Sequence, residues 1–244
     1  MSTNLIEVVT DSVASCVNAE LGGADRVELC DNLFEGGTTP SAGMIKLVRQ
    51  KVKIDLMVMI RPRGGDFLYS PEELEVMKED IKVAKELGVN GVVFGLLTPD
   101  GVIDKNKTKE LIEIARPLSV TFHRAFDMVT DPFQALEDLI ELGVDRILSS
   151  GLERSALEGV DLLKELIEKA GGRIIILVGG GIRPHNIEKI VAKTGAKECH
   201  VSGRKPVESG MRFRNGRVSM GGALQLPEYS ISVVDSSVIQ SFRK

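Results

Sequence analysis

Short apolar runs alternate with longer amphipathic segments along the whole chain. Apolar runs bounded by glycine, proline or polar clusters predict strands covered on both faces, and a period of 3.6 predicts helices. The predicted strands are Leu5–Val9, Arg26–Cys30, Ile54–Ile60, Gly91–Gly95, the start of Ser119–Asp127, Asp145–Ser149, Arg173–Val178 and Lys197–Val201. Helical spacing covers Ser12–Leu21, Ser41–Gln50, Pro71–Leu87, Lys105–Ala115, a segment from Asp131-Pro132 to Leu142, Ser155–Ala170 and Pro184–Thr194. A last helical pattern lies near Val234–Phe242. Ser70 before Pro71 is an N-cap signal. The pairs Leu21-Gly22, Leu87-Gly88 and Leu142-Gly143 end helices and lead straight into new strands.

Eight strands, each followed by a helix, predict a parallel sheet with crossover helices. At this length the pattern fits a closed (β/α)8 TIM barrel, with residues 1–244 as a single domain. An open doubly wound sheet is the competing fold, and no GxGxxG follows the first strand to support it. The segment at about 202–228 reads as a long loop. Its Met211, Phe213, Met220 and Leu224 need cover, over the barrel mouth or in a subunit contact.

Composition narrows the classes. The chain is 43% hydrophobic, enough for a sizeable core. The net charge of -4 gives no support to a nucleic-acid or membrane surface. Neither a spanning apolar run nor a signal peptide is apparent. Cys16, Cys30 and Cys199 are odd in number and far apart, which suits reduced thiols in the cytoplasm.

The candidate chemistry centres on Ser119–Asp127, which begins as a buried strand and ends in His123, Arg124 and Asp127. Ligands bind at the C-terminal ends of parallel strands. Strand side chains alternate, and the helix-facing set must be apolar. That places Glu7 and Val9 inside the barrel, with Arg26, Glu28 and Cys30, then Met57, Met59 and Arg61. Thr121, His123, Ser149, His200 and Ser202 follow by the same rule. One inward polar residue is commonly a satisfied core group. Burying Glu7, Glu28, Arg61, His123 and His200 together without a use costs several kcal/mol each, on the order expected for unpaired charge.

Arg61 and Arg63, on a glycine-bent loop, match the oxygens of a phosphate or carboxylate, or else pair with Glu7, Glu28 or Asp66. Gly180, Gly181, Ser202, Gly203 and Arg204 follow the last two strands, where such barrels commonly bind anions. Arg26 and Arg124 complete the candidate anion-binding set. Cys30 is the one cysteine expected to face inward, as a small core residue or as a ligand. His185 and the acidic residues Glu72, Glu73, Glu75, Glu79 and Asp80 read as solvated surface.

These stretches also carry a resemblance. Gly23–Cys30, Glu35–Ser41, Met59–Tyr69, Thr121–Asp127, Gly179–Ile182 and Ser209–Met211, in this order, resemble the CutC family from end to end, most closely its animal branch. The resemblance implies a TIM barrel, a cytosolic homo-oligomer (a dimer or tetramer) and a role in copper homeostasis through Cu(I) binding. Animal relatives carry a cysteine where this chain has Val9. A Cu(I) ion would then rest on Cys30, with Met59 and His200 as the further candidate ligands.

Two functions follow. The resemblance implies a Cu(I)-binding homeostasis protein. The residues themselves suit an enzyme acting on a small phosphorylated or carboxylated metabolite, with Glu7, Glu28, His123 and Asp127 as candidate acid–base groups. No organic cofactor is expected, and the partner in either case is a copper ion or a small anion.

Overall fold

The computed structural model describes residues 4–220 and 227–243. Eight parallel strands close into a barrel in sequence order: β1 (Leu5–Thr10), β2 (Arg26–Leu29), β3 (Asp55–Met59), β4 (Gly91–Phe94), β5 (Ser119–Phe122), β6 (Arg146–Ser149), β7 (Ile175–Gly179) and β8 (Glu198–Val201). The helices between them are α1 (Val13–Leu21), α2 (Ala42–Lys51), α3 (Pro71–Glu86), α4 (Lys105–Ala115), α5 (Pro132–Glu141), α6 (Val160–Ala170) and α7 (Ile187–Thr194). Local chemistry sets their ends. Ser70 caps α3 in a reciprocal capping box with Glu73. After α3 and α5, Gly88 and Gly143 take left-handed φ angles of 74° and 76°, which a side chain would resist.

Two predicted helices are shorter than their periodicity. Ser155–Gly159 forms turns before α6, and Ala156 N–H bonds to Gly180 O in the loop after β7. Pro184–Asn186 likewise precedes α7 as turns. The predicted loop at 202–228 contains a strand. β9 (Arg204–Glu208) pairs antiparallel with β10 (Ser230–Val234), followed by α8 (Ser236–Ser241). Met211, Phe213 and Met220 on this extension are exposed at 59%, 76% and 83%, so they do not pack over the mouth. Leu224 lies outside the described residues.

Alternation divides the core in two. Val27, Leu29, Val58, Val120 and Ile147 join the helices in the outer layer. Cys30, Met57, Met59 and Val93 pack inside the barrel, with Val9 against them. Ser149 was expected inside, but Arg146 and Leu148 hold the inward positions of β6. Ser149 Oγ instead donates to Asp127 Oδ1 at 2.6 Å. The barrel floor is a ladder of charge. Arg26 bonds Glu7 and, at 2.6 Å, Glu198 Oε2, which also accepts from Arg146 Nε at 2.9 Å.

Candidate functional site

The mouth opens at the C-terminal strand ends. A cavity of about 260 Å³ is lined by Glu28, Cys30, Met59, Arg61, His123 and His200 among others. A second, of about 230 Å³, adjoins it over Gly180, Gly181, Arg183 and Ser202. The two share Val9, Arg124, Leu148 and His200.

Strand register builds the charged centre. Glu7 on β1 pairs with His200 on β8 and Arg26 on β2. His200 Nδ1 is 2.8 Å from Glu7 Oε1, and its Nε2 is 3.8 Å from Glu28 Oε2. Burial would raise the Glu7 carboxyl, but the hydrogen bond to His200 and the Arg26 charge hold it down at about 2. Burial opposes charge on His200, yet Glu28 and Glu7 outweigh it and raise its pKa. Burial also raises Glu28, only partly offset by His200. Glu28 Oε1 has no partner among the described residues.

His123 sits just beyond β5. The strand ends at Phe122, and the ionisable half of the stretch turns away as a 3-10 turn, Arg124–Met128. His123 Nδ1 accepts from the N–H of Ala125 at 3.2 Å, which places the ring proton on Nε2. That Nε2 is buried and unpartnered among the described residues. Burial, helped by the Arg61 charge, depresses the histidine to about 3. His123 is therefore a neutral imidazole with a free N–H.

The soft atoms lie on the neighbouring wall. Cys30 Sγ is 3.5 Å from Glu28 Oε2, and burial and the Glu28 charge push its thiol well above the usual range. Met59 packs beside it. Among the described residues, one group of three or more His, Cys, Asp or Glu side chains brings ligand atoms within 4.8 Å of one another: Glu7, Glu28 and His200. These are oxygen and nitrogen donors, hard or borderline.

Several predicted site residues serve other ends. Arg61 reaches the mouth, but its guanidinium donates to the carbonyls of Glu35 at 2.7 Å, Gly37 at 2.9 Å and Gly65 at 2.8 Å. It ties two loops together. Arg63 points away, onto Asp66 in its own loop and Glu73 at the start of α3. Arg26 belongs to the floor. Arg204 clamps the β9–β10 hairpin to Asp11 at 2.7 Å. Gly203 packs under α8, where a Cβ would meet Ile239 Cδ1 at 2.3 Å. Asp127 is spent on Ser149, Ser150 and Leu152 and on an ion pair with Arg124. Its role is to hold Arg124, whose Nη2 donates to Ser150 Oγ at 2.6 Å. Glu28, His123, His200, Cys30, Met59, Gly180, Gly181, Arg124 and Ser202 do line the mouth.

The sequence reasoning missed Arg146, Glu198 and Arg183. Glu198 has the same strand parity as His200, so the alternation rule already contained it. Arg146 follows from Leu148 in the same way. Arg183 follows the last of three glycines by two residues, and nothing in its spacing marks it.

Comparison with known proteins agrees with this architecture. The CutC family model matches residues 4–205. A human "Copper homeostasis protein cutC homolog" is 56% identical over 97% of this chain and 87% of its own length, and the mouse homolog is 55% identical over the same shares. The crystal structure of a Streptococcus agalactiae copper homeostasis protein CutC superposes with a TM-score of 0.78 at 39% identity, covering 82% of this chain and 98% of that one. The motifs, the barrel and these relatives agree: the chain belongs to the CutC family.

Proposed function

We propose that this chain serves copper homeostasis, the role carried in the names of its human and mouse relatives, and that it takes Cu(I) as cargo in the barrel mouth. Cys30 supplies the thiolate, with Met59 beside it and His200 as a nitrogen donor on the same cavity. The observation that carries this reading is the sulfur pair. A Cβ at Gly37 would lie 3.2 Å from Cys30 Sγ and 3.6 Å from Met59 Cε, so both side chains sit under one loop. Sulfur ligands suit Cu(I). Val9 offers no ligand on the adjacent strand, so this is a one-thiolate site. Three buried free cysteines fit a cytoplasmic protein. The exposed apolar side chains of the hairpin extension fit a homo-oligomer. Titration against a Cu(I) chelator tests the site: Cys30→Ser abolishes the tight phase, and undiminished binding would place the metal elsewhere.

A second reading has its own support. Glu28 Oε1 and His123 Nε2 are buried polar atoms without partners among the described residues, and both belong to residues lining one cavity. Groups of this kind suit acid–base work on a small phosphorylated or carboxylated compound. Its anionic end would rest over Gly180 and Gly181, near Arg124, Arg183 and Ser202. A melting series in phosphate, sulfate and chloride at matched ionic strength tests this. Phosphate raises the midpoint most, and Arg183→Ala reduces the shift. Equal shifts in all three salts would remove the anion site.

A further inference from the structure

We propose that the mouth removes and returns a proton at the carbon beside the carbonyl of a small phosphorylated hydroxy-carbonyl compound, with Glu28 as base and His123 as hydrogen-bond donor to the carbonyl oxygen. This rests on the second reading above and names its reaction and substrate class.

Two groups of opposite character, both on residues lining one cavity, carry it. The Ala125 N–H occupies His123 Nδ1, so Nε2–H is a buried donor without a partner among the described residues, on a ring that lines the cavity. A buried neutral imidazole donates to a developing oxyanion without giving up its proton in the ground state. Glu28 is the reverse, a buried carboxylate with one oxygen, Oε1, left as a free acceptor. Its other oxygen has Cys30 Sγ at 3.5 Å and His200 Nε2 at 3.8 Å. Those contacts fix the side chain and leave Oε1 to react.

The step balances within the site. Glu28 takes the proton from the carbon next to the carbonyl. The C–H electron pair becomes a C=C bond, and the carbonyl π pair moves to oxygen, where His123 Nε2–H holds it. In reverse the carbonyl re-forms and Glu28 returns the proton to carbon. No external oxidant or reductant enters.

The phosphate assignment comes from the adjoining cavity. Gly180 and Gly181 take φ angles of 97° and 69°. Among the described residues, the N–H groups of Gly180, Gly181 and Ile182 donate to no protein acceptor. Successive free N–H groups in such a turn form an anion cradle, and the Arg183 and Ser202 side chains border it. Arg124 and His200 line both cavities, so one small molecule spans from cradle to acid–base pair.

The test is hydrogen exchange from carbon in D2O, followed by proton NMR on the full-length protein. Dihydroxyacetone phosphate is the phosphate probe and pyruvate the carboxylate probe. The wild type speeds loss of the hydroxymethyl signal beside the carbonyl of the phosphate probe. Glu28→Gln, purified in parallel and checked for folding by circular dichroism, lowers the rate by roughly 10²–10⁴-fold. His123→Gln lowers it by roughly 10²–10³-fold. Exchange from pyruvate alone overturns the phosphate assignment. An undiminished rate in Glu28→Gln, or no acceleration with either probe, overturns the proposal. A phosphate-specific melting shift without exchange would leave the anion-site reading standing and sink only this step, whereas loss of both would sink both.

Discussion

Gly95 makes room for His123: a Cβ built on Gly95 would lie 2.5 Å from His123 Nδ1 and 2.9 Å from the Ala125 Cβ. The imidazole can turn Nδ1 to the Ala125 backbone only because the residue following β4 has no side chain. Gly95→Ala therefore forces the ring out of its bond. The expected cost is about 1–3 kcal/mol, the range for overpacking a filled core. The side-chain nitrogen resonances of His123 should shift with it. A variant of wild-type stability with an unmoved imidazole would show that the strand end can yield.

The floor gives a larger effect. Arg26 is 1% exposed, and it is neutralised by Glu7 and Glu198. Glu7→Gln removes one partner and leaves buried charge behind, which costs about 3–5 kcal/mol. Urea denaturation of the variant measures it. A loss below about 1 kcal/mol, the level of an exposed pair, would mean that water replaces the missing carboxylate.

Stability should also depend on pH with a sign set by this cluster. The folded pKa of His200 lies above its ordinary 6.5, so its contribution is complete below pH 6.5 and is lost as pH rises through the folded value. Glu28, raised above 4.5, has the same sign. Glu7 is opposite: held at about 2, it contributes above pH 4.5, and that contribution is lost as pH falls toward 2. Denaturation midpoints should therefore decline on the alkaline side of pH 6.5, and His200→Gln should flatten that limb. An unchanged slope in the variant would assign the decline to another group.

Copper affinity should respond to one side chain. Val9 lines the mouth on the strand next to β2, which leads into Cys30. Val9→Cys adds a second thiol and should tighten Cu(I) binding by at least tenfold, about 1.4 kcal/mol at 25 °C. Competition with a chelator measures this, and equal affinity would show that the two thiols cannot reach one ion.

The hairpin extension should mark the subunit contact. Phe213 is 76% exposed, and Val207 and Ile231 on β9 and β10 are 47% and 61% exposed. Phe213→Ser should shift sedimentation toward the monomer. A wild-type protein that sediments as a monomer at micromolar concentration would remove the oligomer.

Most of the barrel was legible because burial on both strand faces writes a continuous apolar run. Any charge within that run, such as Glu7 or Glu28, then stands out. Glycines after α1, α3, α5 and α7 marked where β2, β4, β6 and β8 begin. The hairpin escaped because Arg204–Glu208 is exposed over most of its length and carries Lys205 and Pro206, so it has no apolar face. The arginines misled for a related reason. Arg61 and Arg63 are two residues apart and read alike, yet one donates to loop carbonyls and the other to the start of α3. What they meet depends on loops distant in sequence, such as Glu35 and Gly37 for Arg61. His123 was found by position, but its tautomer needed the Ala125 backbone.

The ladder from Arg26 through Glu198 to Arg146 makes the barrel a blind vessel. Among the described residues, this interlocked charge plugs the lower end of the barrel axis. Whatever enters must leave by the same doorway, and water displaced from the bottom must pass it on the way. A copper ion on Cys30 and an organic anion over Gly180 would therefore share one entrance. Each would hinder the other's traffic even without touching it.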